Sequence, residues 1–360
     1  MKVILSKSLA TVVVVLVCLL SLPLIDVKAQ PRTIVVPDDY TSIQEAINNA
    51  DEGDTVFVKS GIYYQTAIIN KSLSLVGENR EITIIDGNGN KTRIYIERDN
   101  VTITGFTIRN ALVTTEAGIL LMRVDYCNIS ENKLTDNSRG IDLLDSSYNI
   151  IAGNFMEENG AGVYFRGFNN SIYGNEIVNC NTGIQIFYGA NNTISENNLV
   201  NNSANGINFY NTNNNYIIGN NMTNPTILEP LSGEQGIMFT ASHNNIFYHN
   251  NFKNIQVVDN GWLVPPWIPN SSINVWDNGI EGNYWSAYNG TDADGDGIGD
   301  TPYVVNENNT DNYPLMKPVV IPELPDGTDK TEPFPTTIVL GSMIIIVVLG
   351  ILAYYKKYKN

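Results

Sequence analysis

A short motif returns through the middle of this chain at a nearly constant interval, and no other feature limits the fold as strongly. Gly118, Gly140, Gly162, Gly183 and Gly206 each open a Gly-aliphatic-x-aliphatic stretch, in steps of 22, 22, 21 and 23 residues. After a step of 30 the motif returns at Gly236. Asn132, Asn154, Asn175, Asn197, Asn220 and Asn250 keep the same beat, each three residues after an apolar one. A period near 22 with short alternating segments belongs to a solenoid. Helical repeats are disfavoured, since their units run past roughly 30 residues and need long 3.6-period stretches.

Within a unit, the residues one and three after the glycine are apolar, as in Ile141/Leu143, Val163/Phe165, Ile184/Ile186 and Ile207/Phe209. The residue between them varies: Leu120, Asp142, Tyr164, Gln185, Asn208, Met238. This alternation predicts a strand with its outer pair buried and its middle residue facing water. A second strand is expected around Ile129, Ile151, Ile172, Ile194 and Ile217, and a third after each repeating Asn. Three strands and three turns per unit describe a parallel β-helix. Its coils stack about 4.8 Å apart, so an Asn at a fixed inner corner can bond its equivalent one coil away. A second such column is expected at Asn137, Asn159, Cys180 and Asn202. The step of 30 implies an inserted loop over residues 224–235.

The ends carry different signals. Residues 1–29 read as a secretory signal, with Lys2 and Lys7 before an apolar run and small residues ahead of Gln30. Residues 336–355 are apolar over a length that crosses a bilayer of about 30 Å. The basic KKYK behind them places the C-terminus in the cytoplasm and the body outside the cell. The expected order is therefore a signal (1–29), an N-terminal cap (30–60) and coils (61–258). A C-terminal cap (259–316), a Pro-rich tether (317–335), a membrane span (336–355) and a tail (356–360) follow. In the N-terminal cap, Ile43, Ala46, Ile47 and Ala50 share one helical face behind a Ser42/Glu45 capping box, followed by a first strand in GDTVFVKSGIY. A net charge of −16 argues against nucleic acid as a partner. N-x-S/T sequons are frequent, including Asn70, Asn100, Asn169, Asn270, Asn289 and Asn308. Cys127 and Cys180 sit at different places in coils about two apart, which disfavours a disulfide.

PDDYTSIQEAINNADEGDTVFVKSGIY resembles the N-terminal cap of pectin-lyase-like right-handed β-helix proteins. The G-I-x-L/F units, followed by NNTISENNL or NSIYGNEI, resemble the repeats of NosD-type proteins. WDNGIEGNYWSAYNGTDADGDGIGDTPYVV resembles the segment closing archaeal surface members of that group. The resemblance covers roughly residues 33–316 and implies an all-β fold, a right-handed parallel β-helix. For function it implies less, because this scaffold hosts lyases, hydrolases, adhesins and structural proteins. The namesake's role in copper delivery stands here only as a second alternative, with little support: the histidines are only His243 and His249, in one coil near Met238, whereas copper sites want clustered His, Cys or Met.

Asp292, Asp294, Asp296 and Asp300 occupy positions 1, 3, 5 and 9 of a loop, with Gly297 at 6 and the Ile298 carbonyl at 7. That spacing suits a structural calcium ion and resembles the loops of thrombospondin type 3 repeats and dockerins. Tyr303 replaces the usual bidentate Glu, leaving the last ligand to water or to a distant acid such as Asp277 or Asp311. Trp276, Tyr284, Trp285 and Tyr288 are expected to pack over the last coil.

An active or binding site is expected on the outer face after the glycines. Tyr164, Gln185, Phe187, Tyr188, Asn208 and Tyr210 are candidate ligand-binding residues, since aromatic and amide side chains on a flat face suit sugar rings. Asp142, Asp145 and Arg166 are the catalytic candidates. Asp142 and Asp145 have odd spacing and should diverge, whereas a hydrolase needs carboxylates about 5–9.5 Å apart. Glycan or surface-layer recognition, envelope structure and polysaccharide cleavage remain open at this point.

Overall fold

The computed structural model describes residues 30–89, 92–224, 236–259 and 272–321. The expected signal, membrane span and tail, most of the inserted loop and most of the tether lie outside these residues. The chain winds into an all-β parallel solenoid of the right-handed type, about ten turns long. Three parallel sheets of ten, nine and ten strands run its length. One turn comprises Arg139–Leu144, Ile150–Ala152 and Phe155–Glu157, and the next begins at Ala161–Arg166. The register is the expected one: Ile141 pairs with Val163, then Ile184, Ile207 and Ile237.

The glycine is required by close approach. A Cβ on Gly118, Gly140, Gly162, Gly183 or Gly206 would lie 2.5–3.0 Å from the carbonyl oxygen of the next glycine in the series. Each coil therefore touches its neighbour backbone to backbone at this corner.

The asparagine column forms a continuous hydrogen-bonded line. Each Nδ2 donates to the next Oδ1 from Asn132 through Asn154, Asn175, Asn197, Asn220 and Asn250 to Asn283, at 2.8–3.2 Å. The Asn137 column also forms, with Cys180 replacing one amide and its own N–H donating to Asn202 Oδ1 at 3.0 Å. A third column went unread in the sequence. Asn149, Asn170, Asn192, Asn215, Asn245 and Asn274 bond in series at 2.8–3.2 Å. Cys127 heads it, donating its N–H to Asn149 Oδ1 at 2.8 Å. The signal was present: each Asn in the line from 149 to 245 stands two residues before the buried apolar residue of the second strand.

Both ends are closed. Helix Ile43–Asn49 buries Ile43, Ala46 and Ile47, and its Ser42 hydroxyl accepts from the Glu45 N–H at 3.1 Å. The first strand is Thr33–Val36, ahead of the helix and paired with Thr55–Val58. The expected first strand is thus the second, because the chain lays down one edge before the cap. At the far end Trp276 stacks on Phe247 at 4.3 Å and Trp285 leans, tilted, on Phe252 at 4.5 Å, plugging the apolar interior as expected.

Candidate functional site

The outer face of the nine-stranded sheet carries the candidate residues in two columns. Asp142, Tyr164, Gln185, Asn208 and Met238 are lateral neighbours, as are Leu144 with Arg166 and Phe187 with Tyr210 and Thr240. The expectation that the middle residue faces water needs correction for Asp142 and Asn208, which are 3% and 9% exposed. Asp142 is covered by neighbours. Arg139 Nη1 binds its Oδ2 at 2.5 Å and lies 3.9 Å over the Tyr164 ring, while Oδ1 is buried without a hydrogen-bond partner. Burial raises the Asp142 carboxyl above the usual range, with Arg139 acting in the opposite direction.

Asp145 sits in the following turn, exposed, and forms an ion pair with Arg166, whose Nε lies 2.9 Å from Oδ1 off hydrogen-bond geometry while Nη2 donates to Oδ2 at 3.4 Å. The two aspartates diverge, as their spacing predicts. Arg166 pairs with Asp145 of the preceding turn, while Asp142 takes Arg139 and feels Arg166 only through its charge.

Tyr164, Phe187 and Tyr210 stack along the solenoid axis at 5.9 and 4.3 Å. Their faces are therefore turned toward one another more than toward solvent. Tyr188 meets Phe187 and Tyr210 edge-on at 5.5 and 5.7 Å and is 48% exposed. It borders an open concavity of about 360 Å³ lined also by Asp145, Ser147, Arg166, Gly167 and Phe168. The sequence reading named Asp145, Arg166 and Tyr188 but missed Ser147 and Phe168. The latter belong to the turn between strands, and Phe168 is 50% exposed. A charged pair beside exposed aromatic rings can accept and donate hydrogen bonds to a polyol while stacking its apolar face.

In the lid, Asp292, Asp294 and Asp296 place one carboxylate oxygen each within 4.8 Å of one another. Asp292 accepts from the N–H groups of Gly295 and Gly297 at 2.7 and 3.0 Å, curling the loop. Asp300 directs Oδ2 to Thr291 Oγ1 and Ala293 N–H, at 3.1 and 2.9 Å. Ile298 bridges to Leu315. Asp311 and Asp277 do not complete the loop. Asp277 accepts from Gly279 and Asn312. Asp311 is fully buried and ends the first asparagine line, accepting from Asn283 N–H and Nδ2 and from Trp285 Nε1 at 2.8–3.2 Å. Burial pushes its carboxyl up to about 6.

A closed parallel solenoid with a charged and aromatic outer face defines the class. The family whose description is periplasmic copper-binding protein (NosD) matches residues 47–224 and 169–290, and the chain belongs to that family. It is 30% identical over 126 residues to a cell surface glycoprotein of Methanothermus fervidus, a match spanning 34% of this chain and 20% of that protein. Among solved structures it is similar to a mutant DFA-IIIase from Arthrobacter chlorophenolicus A6 in complex with DFA-III. That match has a TM-score of 0.51 and 11% identity, and covers 71% of this chain and 83% of that one. An alginate lyase from Paenibacillus also matches, at TM-score 0.45 and 15% identity, over 71% of this chain and 98% of the enzyme. At these identities the likeness is one of fold.

The residues present do not fit copper. His243 and His249 lie at opposite ends of strand Ile246–Tyr248; His243 Nδ1 accepts from Ile273 N–H and His249 Nε2 contacts Glu281 at 2.5 Å. Cys127 and Cys180 are buried in separate columns, and burial pushes both thiols up to about 11, which keeps them protonated. Among the described residues the histidine, cysteine and acidic groups that converge are the three loop aspartates, hard ligands unsuited to copper.

Proposed function

We propose that this chain is a surface-displayed β-helix protein that recognises carbohydrate at the concavity formed by Asp145, Ser147, Arg166, Phe168 and Tyr188. The observation that carries this reading is the Arg166–Asp145 pair set between two half-exposed aromatic rings around about 360 Å³ of open space. A sugar ring fits within that space, stacking on the aromatics while its hydroxyls meet the guanidinium and carboxylate. Tyr164, Gln185, Asn208 and Tyr210 support the floor rather than contact the ligand. The named relative and the apolar sequence of residues 336–355 support display outside the cell. The aspartate loop is proposed to take a structural calcium that stiffens the lid, weakly, in the range of about 10⁻⁴–10⁻³ M.

The test is a glycan array probed with the full chain in detergent, as wild type and Arg166→Met. Binding to a set of glycans, weakened about tenfold or more by the substitution, supports the site; about 1.4 kcal/mol corresponds to tenfold. A blank array refutes carbohydrate recognition.

A further inference from the structure

Five of the N-x-S/T sequons, those in or just before the strands Thr102–Thr104, Asn128–Ser130, Ser171–Tyr173, Thr193–Ser195 and Asn221–Thr223, divide into two kinds by their place in the coil. One corner of each coil, between the nine-stranded sheet and the strand that follows, repeats a left-handed residue. Asn100, Tyr126, Tyr148, Asn169, Asn191, Asn214 and Asn244 hold this position, with φ between 56° and 60°. Two residues later the next strand begins, and its first residues are Thr102, Asn128, Ile150, Ser171, Thr193, Tyr216 and Ile246, in lateral register. That place accepts Ile, Asn or Tyr, so the coil does not need a hydroxyl there. A Ser or Thr nonetheless stands behind Asn100, Asn169 and Asn191, while Asn214 and Asn244 are followed there by Tyr216 and Ile246 and neither tyrosine corner has a Ser or Thr. Left-handed backbone accounts for asparagine; it does not account for the paired Ser or Thr. All three asparagines are exposed, and their side-chain amides make no hydrogen bond among the described residues.

The sequons at Asn128 and Asn221 differ. Each asparagine opens a strand, Asn128–Ser130 or Asn221–Thr223, that is paired on both sides. Asn221 Nδ2 donates to Asn198 at 2.8 Å, and Asn128 Oδ1 is buried. The acceptor side chain of each is thus bonded or covered in the folded sheet, whereas those of Asn100, Asn169 and Asn191 stand exposed at the corner.

We infer that Asn100, Asn169 and Asn191 are N-glycosylation sites, giving the rod a row of glycans along one corner, and that the two strand sequons stay bare. The inference rests on the reading that the body lies outside the cell. In the transfer, Nδ2 forms a bond to the anomeric carbon of a lipid-linked oligosaccharide and loses one proton. The bond from that carbon to the carrier phosphate breaks, with the electron pair leaving on the phosphate. Asn169 directly follows Phe168, so its glycan would border the concavity.

Glycopeptide mass spectrometry on the full chain from membranes of its source organism tests this, with protease treatment of intact cells reporting location. The expected result is glycan on Asn100, Asn169 and Asn191 and none on Asn128 or Asn221. Thr193→Val, which matches the β-branched Ile150 of the same column, should remove the Asn191 glycan and leave folding intact. A protease-sensitive surface protein with bare corner asparagines, or with strand sequons equally modified, overturns the inference alone. A protein shielded from protease and unmodified overturns the export reading with it.

Discussion

The asparagine lines inside the coils and the aromatic strip outside them share one register, yet they use it in different ways. Inside, Asn154, Asn175, Asn197 and Asn220 repeat one residue because each must donate to the coil below and accept from the coil above. Outside, Asp142, Tyr164, Gln185 and Asn208 occupy one column and no two are alike. The interior is bound by the geometry of stacking. The exterior is held to the same spacing but free in chemistry, so recognition has room to develop where the repeat varies.

Four substitutions, one of them read across a pH titration, probe that contrast. Asn197→Ala should cost the most. It leaves Asn175 N–H and Nδ2, the Ile172 carbonyl and Asn220 Oδ1 each short of a buried partner. With each such group costing about 1–3 kcal/mol, a loss of about 3–5 kcal/mol is expected in urea unfolding. Gly183→Ala should follow, at about 1–3 kcal/mol, since its Cβ would stand 2.5 Å from the Gly206 carbonyl oxygen. A loss under half a kcal/mol in chemical denaturation would show that the coils part easily, against the close approach described here.

Asp311 tests the line's end. Burial pushes its folded carboxyl up to about 6, above the ordinary 3.8 of an aspartate, so the folded state binds more protons between those values. Stability should therefore fall as pH rises from about 4 to 6, by on the order of 2 kcal/mol. Asp311→Asn removes the titration, so the gap between wild type and variant should change across that window and be flat above it. The smallest effect on folding is expected outside: Tyr188→Ala should alter stability by less than about 0.5 kcal/mol in the same assay.

Much of the scaffold was legible because it repeats. Gly118 to Gly236 and Asn132 to Asn250 mark the period, and Ser42 with Ile43, Ala46 and Ile47 marks the cap. The Asn149 line was hidden because its later members sit beside a second asparagine, as at Asn169-Asn170 and Asn191-Asn192. One of each pair supplies the left-handed corner and the other the buried bond. The candidate face was only partly legible. Burial of Asp142 depends on Arg139 and on Tyr164 from the next coil, and the pairing of Arg166 with Asp145 depends on how one turn swings. Asp311 could not be read as the end of the line, because the lid follows no period.

The most direct test of the central claim, that recognition lies where the outer register varies, is a crystal of the protein soaked with an oligosaccharide selected by the array. Sugar density against Tyr188 and Phe168, with hydroxyls on Arg166 and Asp145, is the result the account predicts. Density lodged over the aspartate loop or along a different sheet, with that concavity empty, would contradict it.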